Sequence, residues 1–185
     1  MPSHPSKPES TAMPQPTLRR RSFLKLGIGS AVVLAVAGGT VAMLKPGLVD
    51  GKLSPSAREA MGKIGQAMLA GLLPSEPAAL QAATEAILQR TDVFLAGLPV
   101  HVLEELGQLL SLLTSAPGRR LLVGLPESWA EATVAQTSAA LQSMRESGMA
   151  LRIQAYQGLH DIVFAPYFSG EESWQAIGYP GPRAV

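Results

Sequence analysis

From Ser56 to Val163 the apolar side chains return every three or four residues, and the alternation with period two that a half-buried strand requires is absent. That spacing restricts the chain to helices packed on helices, with proline and glycine marking their ends. In "LSPSAREAMGKIGQAMLAGLLP", Ser56 and Glu59 stand at capping-box spacing, and Ile64, Met68, Leu69 and Leu72 share a face until Gly71 and Pro74 stop the run. A second helix is expected to be capped by Ser75, with Pro77 in its first turn and Leu80, Ala83, Ile87, Val93 and Phe94 near one face. A third follows Pro99. It carries the stripe Leu103, Leu106, Leu109, Leu110 and Leu113 opposite Glu104, Glu105 and Gln108, and closes near Thr114. After a short piece at Arg119 to Leu122, helical spacing is sustained for more than thirty residues up to Phe168, with Gly148 as its weak point. Leu141, Met144, Met149, Ile153, Tyr156, Leu159 and Val163 supply the expected buried side. The fold class read from this is all-α, a small bundle-like domain over 45–166 with no internal repeat.

The N-terminal part has a different composition. Met1 to Thr17 contains five prolines and few apolar residues, so 1–18 reads as a disordered leader. Next come Arg20 and Arg21, one polar residue, then Phe23, Leu24 and Lys25. This layout resembles a twin-arginine (Tat) export signal, with Arg19 in place of the usual Ser or Thr. The nineteen residues Leu26 to Leu44 carry no charge. As a helix they would extend about 28 Å, close to the hydrocarbon thickness of a bilayer. Gly27, Gly29, Ser30, Gly38, Gly39 and Thr40 keep them only moderately apolar, and Ala35-Val36-Ala37 offers a small-x-small cleavage site. Residues 19–44 are thus a signal or a membrane anchor, with transient contact to the Tat translocase in either case. The expected location is periplasmic, tethered to the inner membrane through 26–44 where the segment is retained.

Charge and residue chemistry exclude several function classes. Beyond Leu44 there are ten Lys and Arg against thirteen Asp and Glu, a net −3 with no basic face for nucleic acid. The chain has no cysteine, which removes disulfides, covalent c-type haem and thiolate-held iron–sulfur clusters. No Gly-x-Ser-x-Gly, dinucleotide or phosphate-loop motif is present. His101 and Glu105 lie one helical turn apart, but two ligands do not fill a zinc or iron site. His160 and Asp161 are adjacent and expected to diverge on a helix. Glu104-Glu105, Glu127 with Glu131, and Glu171-Glu172 read as solvated faces and helix starts. The methionines read as core fillers. The expectation is no catalytic, cofactor-binding or metal-binding residue in this chain.

The end of the chain, "YFSGEESWQAIGYPGPRAV", departs from the helical pattern. Gly178-Tyr179-Pro180-Gly181-Pro182 favours turns or polyproline-like structure, so 167–185 reads as an irregular tail. Tyr167, Phe168, Trp174 and Tyr179 are dense there in an aromatic-poor chain. Such rings either plug the bundle's end or form a docking strip. In the second reading Tyr167, Trp174, Tyr179, Pro180, Gly181 and Pro182 meet a partner.

The twin-arginine leader, the "LSPSAREAMGKIGQAMLAGLLP" helix, "ESW", "MRESGMALRIQAYQGL", "YF" and the closing "SWQAIGYPGP" together resemble the small exported subunits related to gluconate 2-dehydrogenase subunit 3, from Arg20 to Pro182. These accompany FAD-dependent glucose-methanol-choline (GMC) type oxidoreductases. The resemblance implies that FAD and the oxidation belong to a large partner subunit and that this chain carries the export signal for the pair; stabilising the partner and, where 26–44 is retained, tethering it are the further roles expected. The alternative is a stand-alone, membrane-anchored helical scaffold of the cell envelope.

Overall fold

The computed structural model describes residues 44–176 and 178–180. The leader and the signal residues Arg20, Arg21, Phe23, Leu24 and Lys25 lie outside the described residues, as do Gly181 and Pro182 of the tail. The described part is mostly helical, and none of its helices is long and apolar enough to cross a membrane.

It begins with a feature the apolar periodicity does not announce. A miniature antiparallel hairpin pairs β1 (Leu48–Val49) with β2 (Lys52–Leu53), Leu48 opposite Leu53. Asp50 and Gly51 turn it with positive φ angles of 51° and 74°, the conformation that Asp-Gly favours between two strands. The strands are too short to leave a period-two trace, and the Asp-Gly pair is the available signal.

Helix α1 (Pro55–Met68) is the hub. Its N-cap is Ser54, whose hydroxyl accepts from the Ala57 amide at 3.3 Å, and not Ser56. Pro55 sets the start two residues earlier than the Ser56–Glu59 spacing suggests, because its fixed φ suits the first helical position. Ala57, Ala60, Met61, Ile64 and Ala67 are buried, and α1 packs against four other helices. Small residues let those helices approach it closely. The run ends at Met68, with Leu69 as the C-cap and buried, while Leu72 is exposed.

Helix α2 (Pro77–Ala96) is capped by Glu76 rather than Ser75. The Glu76 carboxylate accepts from the Ala78 and Ala79 amides, and these bonds hold its pKa below the ordinary carboxylate value. Its inward face is Ile87, Leu88, Thr91 and Leu95; Val93, expected inside, is 75% exposed. The inward row advances by four residues at a time from Ile87 through Thr91 to Leu95, which turns position 93 outward. Helix α3 (Val100–Thr114) buries Leu106, Leu109, Leu110 and Leu113, as its leucine stripe indicates, and ends where expected.

A short turn, α4 (Ala116–Gly118), runs directly into a π-turn, Arg119–Val123, closed by Gly124 at φ 84°. The following stretch is not helical as expected: Trp129 inserts into the core and donates to the Leu113 carbonyl at 2.9 Å. Helix α5 (Val134–Arg145) starts only after it, at a Thr133–Gln136 capping box. Met149, expected inside, is exposed just before α6 (Ala150–Phe168). Helix α6 carries on through Pro166 to Phe168, past the expected end of the domain at residue 166. A six-residue helix, α7 (Glu171–Ala176), then occupies part of what the sequence presents as an irregular tail. Gly and Pro cluster only after position 177, so they do not bear on Glu171 to Ala176.

Two arginines knit these elements together. Arg58 of α1 donates to Asp92 at 2.6 Å and to Glu85 at 2.8 Å, both on α2, while Asp92 also accepts from the Leu53 amide. The bonds from Glu85 and then Asp92 raise the Arg58 pKa further. Arg152 of α6 donates to the Leu122 and Val123 carbonyls, satisfying the end of the π-turn.

Candidate docking surface

One flank of α6 carries a ring every fourth residue: Tyr156, His160, Phe164 and Phe168. Four-residue spacing stacks side chains one above another on a helix. The Tyr156 and His160 ring centroids lie 6.3 Å apart, those of His160 and Phe164 4.3 Å in a stacked pair, and those of Phe164 and Phe168 5.8 Å. Tyr156, His160 and Phe164 are half-buried and Phe168 is exposed. The apolar edge of this ladder is thus in contact with the core while its outer faces remain open.

The ladder continues past the helix end. Tyr167, one position off the stripe, turns inward, is buried, and meets Phe168 edge-on at 5.1 Å. Its burial, with the Glu172 charge adding, raises the pKa of the hydroxyl. Arg90 of α2 closes the corner by donating to the Pro166 carbonyl at 3.0 Å and to Glu172 at 2.5 Å. A side chain at Gly170 would stand 2.9 Å from the Arg90 guanidinium carbon, so glycine is what admits that arginine. The backbone amide of Glu172 and then Arg90 hold the Glu172 carboxyl below its ordinary pKa. Ser173 is fully buried and donates to the Gly170 carbonyl at 2.6 Å.

On this base Trp174 is half-buried, its indole donating to the Phe168 carbonyl at 3.3 Å. Gly178, at φ 70°, turns the chain back so that the Tyr179 amide donates to the Trp174 carbonyl at 2.8 Å. The two rings meet edge-on, centroids 5.5 Å apart. Tyr179 is 46% exposed and Pro180 is exposed beside it.

The expected docking residues therefore divide. Tyr167 belongs to the core, because the turn of α6 at that position points into the bundle; Trp174, Tyr179 and Pro180 lie at the surface and close together. The outer ladder is not apparent from the aliphatic periodicity, which counts Tyr156 with the core and passes over Phe164. The spacing of Tyr156, His160, Phe164 and Phe168 is its signal. It is obscured because the same helix carries a second, aliphatic stripe through Leu159 and Val163.

Among the described residues no three His, Asp or Glu side chains form a group able to hold a metal ion. His101 is exposed. His160 and Asp161, expected to diverge, are in contact at 3.2 Å. The ring stacked on Phe164 leaves Nδ1 free to reach the neighbouring carboxylate, which is itself largely exposed. Glu131 caps its own turn by accepting from the Ser128 hydroxyl at 2.7 Å, and Glu127 accepts from Gln136 at 3.0 Å. No protein-family model, curated protein or solved structure matches the chain.

Proposed function

We propose that this protein is a non-catalytic small subunit that escorts an FAD-dependent, GMC-type dehydrogenase out of the cytoplasm on the twin-arginine route, stabilises it, and tethers it on the periplasmic side of the inner membrane. The observation that carries the reading is the row of partly exposed rings Tyr156, His160, Phe164 and Phe168 along α6, followed beyond its end by the edge-on pair Trp174 and Tyr179. Rigid aromatic side chains lose little entropy on contact and commonly anchor protein interfaces. The leader beginning at Arg20 and Arg21 supports the export half of the reading. A flavoprotein folds around its cofactor before export, and a route for folded cargo carries a bound pair on one signal. The cofactor and the chemistry then reside in the partner.

The test is to replace Arg20 and Arg21 by Lys in cells that make both chains. Both chains are expected to remain in the cytoplasm. A flavoprotein that still reaches the periplasm rules out the escort mechanism.

A further inference from the structure

Arginine is rarely buried without a partner, because stripping water from a guanidinium is costly unless acceptors replace it. Three arginines of this fold obey that rule: Arg58 is held by Asp92 and Glu85, Arg90 by Glu172 and the Pro166 carbonyl, and Arg152 by the Leu122 and Val123 carbonyls. Arg119 does not. It is only 7% exposed, and its fully buried Nε has no acceptor among the described residues. No nitrogen of its side chain lies within ion-pairing distance of a carboxylate among those residues.

The neighbouring acceptors are already engaged. The Leu122 and Val123 carbonyls on the same turn are taken by Arg152. Glu131 feels the Arg119 charge, but its carboxylate is committed to the hydroxyl and amide of Ser128. Lys63 reaches the same loop, donating to the Ala132 carbonyl at 3.1 Å, and adds positive charge there. Arg119 also opens the π-turn, a backbone irregularity found often at functional sites, and two residues on Leu121 stands 68% exposed. Arginine is among the side chains enriched at interface anchors, and Leu121 gives this one an exposed apolar neighbour in the chain.

We propose that the Arg119 guanidinium is a carboxylate receptor, filled in the complex by an Asp or Glu side chain of the partner subunit that approaches over Leu121. A carboxylate would meet the two terminal nitrogens, which unlike the sealed Nε keep some exposure, with two parallel charge-assisted bonds. This rests on the escort reading for the source of the carboxylate, not for the existence of the receptor.

Two arms test it, using the full-length chain. In the first, wild type, R119M and R119Q are melted in sodium acetate and in sodium chloride of equal ionic strength. Acetate raises the melting temperature of any folded chain somewhat over chloride, so the reading is the excess: wild type is expected to gain about 1 °C or more beyond the gain of the variants, since only a native state with the guanidinium binds the anion. In chloride both variants should melt no lower than wild type. An equal acetate response in all three, or a loss of more than about 5 °C in both variants in chloride, overturns the receptor. The second arm recovers the partner flavoprotein on tagged chains. R119M is expected to retain less than about one tenth of the partner that wild type retains. Equal recovery overturns the partner carboxylate and, with a positive acetate response, assigns the receptor to a free small carboxylate. Failure of wild type to recover any flavoprotein counts against the escort reading, and the acetate arm then decides the receptor alone.

Discussion

Helices α1 and α6 both lie against several others, yet they treat their apolar residues in opposite ways. Helix α1 sinks Ala57, Ala60, Ile64 and Ala67 and keeps no large ring. Helix α6 buries Leu159, Ile162 and Val163 on one side and leaves Tyr156, His160, Phe164 and Phe168 partly in water on another. Small and aliphatic side chains pack the hub at close range, and hence set the stability of the domain. The rings of α6 contribute less to that stability than their size would allow, because a half-buried ring removes only part of its surface from water. Close packing and open aromatic surface thus fall on different faces, so substitution can probe each separately.

The largest effect should come from the packed side. Leu110→Ala, at a position with no exposure, is expected to cost about 2–5 kcal/mol, read from urea unfolding, with the surface rings untouched. Next is Gly47→Ala. A Cβ there would stand 2.5 Å from the Gly107 carbonyl oxygen and 2.6 Å from the Ser111 amide nitrogen, and forcing α3 aside should cost about 1–3 kcal/mol by the same measurement. On the open side, Tyr179→Ala is expected to leave the melting temperature unchanged while weakening recovery of the partner by on the order of 2 kcal/mol. A parallel loss of stability would assign that ring to the core and dissolve the contrast.

The smallest effect concerns the corner between the two faces. The Glu172 carboxyl has a depressed pKa in the folded chain, so its contribution is present above its unfolded pKa and is lost as the pH falls through the folded value. The carboxylate is largely exposed, and solvent screening keeps that contribution slight. Acid titration followed by tryptophan fluorescence should show a step in wild type that E172Q lacks. An identical step in both would locate the titration elsewhere.

The helical class and much of the core are legible in the amino-acid sequence alone. The leucine stripe of α3 and the end at Thr114 follow from spacing, because a single strong face leaves one solution. The displaced caps at Ser54 and Glu76 have one cause: in each case a proline at the first helical position fixes the start, outranking the nearest good capping residue. Trp129 hides the true beginning of α5, since a ring pinned to the Leu113 carbonyl is a long-range event that local periodicity does not record. The concentration of rings around Trp174 and Tyr179 is legible from composition, but their place at the surface is not, since the same rings could have plugged the bundle's end. The unmatched Arg119 is not, for an arginine in sequence carries no mark of whether the fold brings it an acceptor.

The segment just after Leu44 has a mechanical consequence. Gly47 is wedged beneath α3, its amide held by the Ser111 hydroxyl at 2.7 Å and its carbonyl by the Ser54 amide at 3.0 Å, and the tight Asp50-Gly51 hairpin follows at once. A chain clamped so close to its point of departure has no slack with which to swivel. Tension applied at Leu44 would therefore pass straight into α3 and the hub, with little chain in between to absorb it.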